Sequence, residues 1–182
     1  MMKLVSVMLL GLFIFGCSEK NTPKSAPVQV NGVLKIGQYT ISPPISYWYF
    51  PREYPPKHET AKNGFLLTFF KYKEGITKKD PKKIDFFINF GLFKNKYKNS
   101  EEYYSSAKAA GIIHKDLPKE VGVLLTNKNW SCKQTAEGLY GIECISLGSN
   151  LVTIGAYGYE EKKVLSHISL LQKMLESFKD TN

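Results

Sequence analysis

The sequence lacks the motifs that mark the common classes of enzymes. Its three histidines, His58, His114 and His167, are far apart in the chain, and none belongs to a His-x-x-x-His or similar metal-binding spacing. The turn at residues 148–150 lacks the Gly-x-Ser-x-Gly arrangement of the α/β-hydrolases. The glycines occur singly, without a phosphate-binding run. The sequence therefore predicts a protein that is not an enzyme and binds no metal or cofactor.

A hydrophobic run long enough to span a membrane is also missing. The apolar stretch at residues 4–15 has twelve residues, whereas a transmembrane helix needs about 20. No repeat with a period of about 20 to 50 residues is apparent, which argues against a repeat protein. Hydrophobic residues make up 43% of the chain and charged residues 23%, as is typical of globular proteins. The sequence therefore predicts one globular domain.

The N-terminal segment is typical of an export signal. Lys3 supplies a basic start, residues 4–15 an apolar middle, and Gly16 a small residue at the end. Residues Ile14-Phe15-Gly16-Cys17 resemble the lipobox of bacterial lipoprotein signal peptides. The resemblance implies a signal peptide at residues 1–16, cleavage before Cys17, and acylation of the Cys17 thiol and of its new amino group. The alternative is an ordinary secretory signal followed by an unmodified cysteine.

The residues after Cys17 predict a tether and a location. Residues 18–32 are polar, include Pro23 and Pro27 and show no hydrophobic period, so residues 17–32 are interpreted as a lipidated cysteine with a flexible tether. The single domain is then residues 33–182. Ser18 stands where, in the best-studied lipoprotein sorting systems, an aspartate favours retention in the inner membrane. We therefore expect a periplasm-facing lipoprotein of the outer membrane rather than the inner membrane.

The chain has only three cysteines, and the sequence predicts a different role for Cys17 than for the other two. If Cys17 carries lipid, Cys132 and Cys144 remain as a pair, and an exported protein favours a disulfide. No histidine or further cysteine lies beside either residue, which disfavours zinc. A hairpin centred on Gly138 places the two cysteines six residues to either side, directly opposite each other. Such a disulfide would contribute about 3 kcal/mol in the chain-entropy model.

Hydrophobic periodicity predicts an α+β fold. It favours a single antiparallel sheet of about five to seven strands packed against two helices, with a C-terminal meander and a terminal helix. The alternation at residues 84–93 is the clearest strand pattern, and residues 65–73 pair with it as a hairpin. The other predicted strands are residues 33–41 with a bulge at Gly37, 45–50, 121–126, 129–135, 139–147 and 151–159. Two helices are predicted. The first is capped by Ser100 and ends at Gly111, and the second covers residues 160–179 and carries an apolar stripe along one face.

This order of elements resembles a known fold. Strands, helix, three-stranded meander and a terminal helix ending Glu176-Ser177-Phe178-Lys179 are similar to the PsbP-like α/β sandwich used by small exported lipoproteins. That resemblance implies a binding role, and the family has no shared catalytic residues to transfer. By type, small lipoproteins with a disulfide and no catalytic motif are also similar to periplasmic immunity proteins. Those proteins neutralise toxins delivered by type VI secretion.

Positive charge is concentrated in one part of the chain. Residues 57–98 contain 11 lysines and 4 acidic residues, a net charge of +7, whereas residues 99–182 contain 9 lysines and 10 acidic residues. The asymmetry suggests one basic face. Solvated lysine-rich loops that aid solubility are the alternative. Nucleic acid is an unsuitable partner for an exported protein.

Two groups of residues are candidates for binding. Tyr47, Trp48, Arg52 and Tyr54 lie in a segment of aromatic residues and prolines, and such residues are common anchors in protein interfaces. The aromatic run alternatively reflects core packing and a stiff loop. The lysines Lys78, Lys79, Lys82 and Lys83 form the basic candidates. We expect a protein partner, with an acidic toxin as one candidate. Anionic envelope components such as lipopolysaccharide or peptidoglycan are the alternative ligands.

The lipobox resemblance makes a direct prediction. Replacing Cys17 with serine removes the acylated thiol, so the protein should move from the membrane fraction to the soluble periplasmic fraction, because stable anchoring needs more than one acyl chain. Cell fractionation followed by immunoblotting measures this change. An unchanged membrane partition of the Cys17→Ser variant would contradict lipidation.

Overall fold

The computed structural model describes residues 28–29, 32–43, 47–49, 65–71, 85–135 and 139–181. Within these residues the chain has an α+β fold in which antiparallel sheets pack against helices, as the sequence predicts. The predicted signal peptide and Cys17 lie outside the described residues. None of the helices in the described ranges is long and apolar enough to cross a bilayer.

The described part of the chain contains eleven strands and four helices. The strands are β1 Val28–Gln29, β2 Leu34–Ile36, β3 Tyr39–Ile41, β4 Tyr47–Tyr49, β5 Phe65–Lys71, β6 Phe86–Lys94, β7 His114–Lys115, β8 Ser131–Thr135, β9 Tyr140–Leu147, β10 Asn150–Gly158 and β11 Lys179–Asp180. The helices are α1 Ser100–Ala109, α2 Lys119–Leu125, α3 Glu161–Ser166 and α4 Ile168–Ser177.

Eight strands form one antiparallel sheet, in the order β1-β4-β5-β6-β10-β9-β8-β7. Its outermost strands, β1 and β7, have two residues each and flank six longer strands. Strand β1, Val28–Gln29, belongs to the segment predicted to be a tether and pairs with Tyr49 and Trp48. The remaining strands form a second, smaller sheet in the order β11-β3-β2, which the sequence did not predict.

The central strands pair as the sequence predicts. Strands β5 and β6 form the predicted antiparallel hairpin, and β8, β9 and β10 form the predicted meander. Cys132 of β8 lies directly opposite Cys144 of β9. Their sulfur atoms are 2.06 Å apart, so the predicted disulfide is confirmed.

The inner face of the large sheet carries the main hydrophobic core. Alternate residues of β6, among them Ile88 and Phe90, point to this face together with Ile154 of β10. Helices α3 and α4 pack against β10, with Val164, Leu171, Met174 and Leu175 buried. The apolar stripe predicted for the terminal helix therefore faces the sheet.

The outer face of the same sheet carries a smaller core beneath α1. Tyr104 of α1 is buried against Ile145 of β9 and Leu151 of β10. Its hydroxyl also donates a hydrogen bond to the carbonyl oxygen of Ser131, at 2.8 Å. One aromatic side chain thus fixes α1 both to the face and to the edge of the meander.

Residues 33–41 form a hairpin rather than the predicted single strand with a bulge. The chain reverses at Gly37 and Gln38, and Ile36 pairs with Tyr39 across the turn. Gly37 has φ +59°, a left-handed conformation that a two-residue hairpin turn commonly requires. Gly37 therefore does mark an irregularity in the strand, as predicted, but the irregularity is a hairpin turn and not a bulge.

The N-cap of α1 is Asn99 and not Ser100. The Asn99 side-chain oxygen accepts a hydrogen bond from the Glu102 backbone N–H at 2.9 Å, and the Glu102 carboxylate accepts from the Lys98 N–H at 2.8 Å. Ser100 is already helical. The first bond satisfies one of the donors that the first turn of a helix leaves unpaired, and the second ties the residue before the N-cap to the same turn. The helix ends at Ala109, before Gly111, as predicted.

Residues 121–126 were predicted as a strand, but most of them belong to helix α2. Val121 and Leu125, four residues apart, are buried, whereas Val123 and Leu124 are exposed. This is the spacing of one helical face. A short apolar run does not distinguish a strand from a helix by periodicity alone, which explains the error.

The predicted terminal helix is interrupted at His167. In a continuous α-helix the Lys163 carbonyl would accept from the His167 backbone N–H. Here that N–H donates to Val164, and the imidazole Nδ1 donates to the Lys163 carbonyl at 2.8 Å. The imidazole also stacks on Phe86, with ring centroids 4.5 Å apart. The helix then ends at Ser177, and residues 179–180 form β11 instead of extending it.

The packing of the inner core predicts that alanine substitutions of two leucines, Leu171 and Leu124, will differ greatly in their effect on stability. Leu171 is fully buried, so Leu171→Ala should lower the free energy of unfolding by about 2–5 kcal/mol through lost burial and a cavity. Leu124 is 47% exposed, and Leu124→Ala should change it by no more than about 0.5 kcal/mol. Urea unfolding monitored by circular dichroism measures both. Equal effects of the two substitutions would contradict the packing of α4.

Candidate functional site

Most of the sequence-predicted binding residues lie outside the described part of the structure. Tyr47 and Trp48 lie in β4, where they pair with Lys71 and Phe70 of β5. Their side chains lie outside the described part of the structure. Arg52, Tyr54 and the four lysines Lys78, Lys79, Lys82 and Lys83 also lie outside the described residues. These residues therefore remain predictions.

A cleft of about 560 Å³ opens on the outer face of the large sheet, beside α1. Strands β6, β9 and β10 form its floor, and α1 forms one wall. Aromatic and polar side chains line it together. They include Asn89, Phe93, Tyr103, Glu143, Thr153 and Tyr157. An aromatic cleft with a few convergent polar groups is the usual form of a ligand site.

Glycines on the outer face create room for a large ring. The Tyr157 side chain lies over Gly141 and Gly155, its two neighbours on β9 and β10. A Cβ atom at Gly141 would lie 2.4 Å from the Tyr157 ring, and one at Gly155 would lie 2.6 Å from it. These distances exclude any larger residue unless the ring moves. The glycines therefore allow Tyr157 to lie along the sheet surface and to reach Glu143.

Glu143 is the central polar group of the cleft. Its side chain is only 15% exposed. Oε2 accepts from the Tyr103 hydroxyl at 3.2 Å and lies 3.0 Å from His114 Nε2, while Oε1 accepts from the Tyr157 hydroxyl at 3.4 Å. The three partners come from α1, β7 and β10. The fold thus brings four separate elements together around one carboxylate.

His114 is almost completely buried behind this carboxylate. Its side chain is 3% exposed, and its ring packs edge-on against Tyr104 at 4.9 Å. Nδ1 has no hydrogen-bond partner among the residues described. Because a carboxylate oxygen accepts, the Nε2–H of His114 donates to Glu143.

No lysine or arginine in the described ranges lies within ion-pair distance of the Glu143 carboxylate. Lys133 is its direct cross-strand neighbour. However, the Lys133 Nζ pairs with Asp116 at 3.3 Å and lies 5.1 Å from the centre of the Tyr104 ring. In the described ranges, the Glu143 carboxylate is therefore held by the hydroxyls of Tyr103 and Tyr157 and by His114 Nε2.

The surrounding tyrosines are held in their neutral form. Burial, followed by the negative charge of Glu143, raises the pKa of the Tyr103 and Tyr157 hydroxyls well above the usual value near 10. Burial likewise raises the pKa of Tyr104. These hydroxyls therefore act as hydrogen-bond donors throughout the physiological pH range.

A second cavity of about 390 Å³ adjoins the cleft. Asn89 and Tyr157 line both spaces, so together they form one concave surface along β6 and β10. The second cavity is also lined by Phe87 and by Ile112, which is 52% exposed. The combined surface presents aromatic and apolar side chains together with the Glu143 carboxylate.

The arrangement suits recognition by hydrogen bonds and charge. In the described ranges, no group of three histidine, cysteine, aspartate or glutamate side chains is placed to hold a metal ion. The cluster offers one carboxylate acceptor, neutral hydroxyl donors and aromatic ring faces. We describe it as a candidate binding site centred on Glu143.

Sequence reasoning did not single out Glu143 as a site residue. The alternation of β9 places Gly141, Glu143 and Ile145 on the face opposite to Cys144. This alternation was the one signal in the sequence that could have indicated Glu143. His114 gave no such signal, because its two-residue strand has no readable period.

Comparisons with known proteins place this chain in no group. No protein-family model matches the chain, and no curated protein matches it either.

The tyrosines predict a loss of stability at high pH. Because their pKa values are raised in the folded protein, the unfolded chain releases these protons first, so stability is present below pH 10 and falls above it. Replacing both Tyr103 and Tyr157 with phenylalanine should reduce the slope by up to about 1.4 kcal/mol per pH unit for each tyrosine, a limit approached above about pH 11. Urea unfolding between about pH 9 and 11.5 measures this slope.

A matched control is Leu124→Ala, which removes no ionisable group and should keep the wild-type slope. If the double variant also keeps the wild-type slope, the pKa values of the two hydroxyls are not raised in the folded protein, which would contradict the structure.

Proposed function

We propose that this protein is a lipid-anchored binding protein of the bacterial cell envelope that recognises a protein partner without catalysing a reaction. The lipobox resemblance at residues 14–17 supports the anchor and a position facing the periplasm. The concave outer face of the large sheet supports the binding role.

That concave face is the observation that carries the proposal. It combines a cleft of about 560 Å³ with a cavity of about 390 Å³ that shares Tyr157 and Asn89. Two exposed apolar residues, Leu66 and Ile112, line the two spaces. Aromatic and apolar side chains around a few polar groups are characteristic of interface centres. The size and the mixture of side chains therefore fit a segment of another protein.

Within this class, the protein is an immunity protein that neutralises a secreted bacterial toxin by covering its active site. The resemblance by type to periplasmic immunity proteins supports this assignment. The net charge of +9 favours an acidic partner through long-range attraction. Local contacts in the cleft are set by the Glu143 carboxylate.

The second candidate is a binder of anionic envelope components, lipopolysaccharide or peptidoglycan. The net charge of +7 over residues 57–98 favours it. Lys94 and Lys96 are exposed and line the cleft. However, the Glu143 carboxylate on the cleft floor repels an anion, so anions would bind to the exposed lysines and not within the cleft.

Affinity capture with variants tests the proposal. The full chain, purified in detergent, is used to capture partners from envelope and secreted fractions, which are identified by mass spectrometry. Leu66→Lys places a positive charge in the cleft and should weaken binding of the captured protein by at least about tenfold. Val123→Lys, on the opposite side of the sheet, should leave binding unchanged.

The outcomes separate the two candidates. A stoichiometric protein lost with Leu66→Lys and retained with Val123→Lys supports protein recognition at this face. Anionic polymers alone, eluting smoothly with rising salt, would support the second candidate and overturn the first. In the same assay, alanine substitution of Tyr47, Trp48, Arg52 and Tyr54 tests the sequence-predicted anchors.

A further inference from the structure

We infer that the cleft binds the cationic end of a basic side chain, an arginine guanidinium or a lysine ammonium, presented by the partner protein. The inference rests on the proposed function and names the chemistry of its partner. Its centre is the Glu143 carboxylate.

The first argument is that no lysine or arginine in the described ranges pairs with the Glu143 carboxylate. Carboxylates that are largely buried are normally paired with a cation. Glu143 is 15% exposed, and its contacts are the Tyr103 and Tyr157 hydroxyls and His114, which does not line the cleft. Lys133 pairs with Asp116 instead. A cation entering the cleft would meet the carboxylate from its open side.

The second argument is hydrogen-bonding capacity. A carboxylate has about four lone-pair sites. Oε2 has two partners, Tyr103 and His114, whereas Oε1 has only the Tyr157 hydroxyl, at 3.4 Å. That distance is long for an O–H···O bond. Oε1 therefore has capacity for a donor from the cleft, such as a guanidinium or ammonium N–H.

The third argument is the aromatic wall around the carboxylate. Phe93, Tyr97, Tyr103 and Tyr157 all line the cleft, together with the apolar side chains Leu66 and Leu151. A cation is attracted to the faces of aromatic rings. The aliphatic stem of lysine or arginine packs well on apolar surface while its charged end meets a polar group. One basic side chain thus matches both parts of the cleft.

Two lysines oppose this interaction. Lys94 and Lys96 line the cleft and are exposed, and the Lys96 Nζ lies 5.4 Å from the centre of the Tyr97 ring. Their charges repel a basic ligand through solvent, which is a weak effect. Removing them should therefore strengthen binding of a cation, a direction that a purely structural role of Glu143 does not predict.

Small probes test the inference directly. The full chain in detergent is titrated with N-acetyl-arginine amide, N-acetyl-lysine amide and the neutral isostere N-acetyl-citrulline amide, with binding followed by calorimetry or NMR. We expect saturable binding of the arginine or the lysine probe, and the comparison of the two identifies the preferred cation. Citrulline should not bind. Glu143→Gln should weaken binding by at least about tenfold, and the exposed control Glu120→Gln should not.

Absence of binding by the wild-type chain, equal binding of citrulline, or equal affinity of Glu143→Gln would each overturn the inference. If circular dichroism shows that Glu143→Gln does not fold, the double variant Lys94→Gln/Lys96→Gln decides. A gain in affinity for the cationic probe of about two- to fivefold supports the inference. Unchanged or reduced affinity in that variant overturns it.

The capture experiment keeps the two proposals separate. A partner protein retained equally by Glu143→Gln and by the wild type would leave the proposed function in place and overturn the cation site. Cationic probes that bind while no partner protein is captured would leave the site in place and contradict the proposed function.

Discussion

The fold depends on the two-residue alternation of its central strands, which must satisfy two different faces at once. On β6 and β10, side chains such as Ile88, Phe90 and Ile154 are fully buried on the inner face against α3 and α4. A one-residue slip of register would move all of them to the outer face. The inner core therefore fixes the register, and the register determines which side chains the outer face presents.

The outer face, once its register is fixed, cannot form a second large core. Its positions on β9 and β10 include Gly141, Glu143, Thr153 and Gly155, which bring little apolar area. Helix α1 buries one end of this face through Tyr104, and Tyr157 covers the glycines. What remains is a concave surface with a carboxylate that accepts hydrogen bonds from two tyrosines. A face that contributes less to stability is free to serve recognition.

Short-range patterns in the sequence were sufficient for the centre of the fold. The β5–β6 hairpin, the meander and the Cys132–Cys144 pair follow from alternation and from a turn near Gly138. Elements that depend on distant contacts were not predictable. Strand β11 pairs with β3, far away in the chain, and His167 interrupts a helix through its own side chain. The site belongs to this second group, because His114 and Tyr103 lie 29 and 40 residues from Glu143 in sequence.

The disulfide and the candidate site occupy the same strand pair, on opposite faces. Cys144 follows Glu143 on β9, and Cys132 precedes Lys133 on β8, so the covalent link lies one residue from the carboxylate and from its cross-strand neighbour. The link holds β8 and β9 in register at the level of the cleft floor, while Tyr103, Tyr157 and His114 orient the carboxylate from three other elements. A group held in this way loses little conformational freedom when it binds, and this preorganisation favours affinity. The most constrained part of the meander therefore carries the group that is best placed to recognise a ligand.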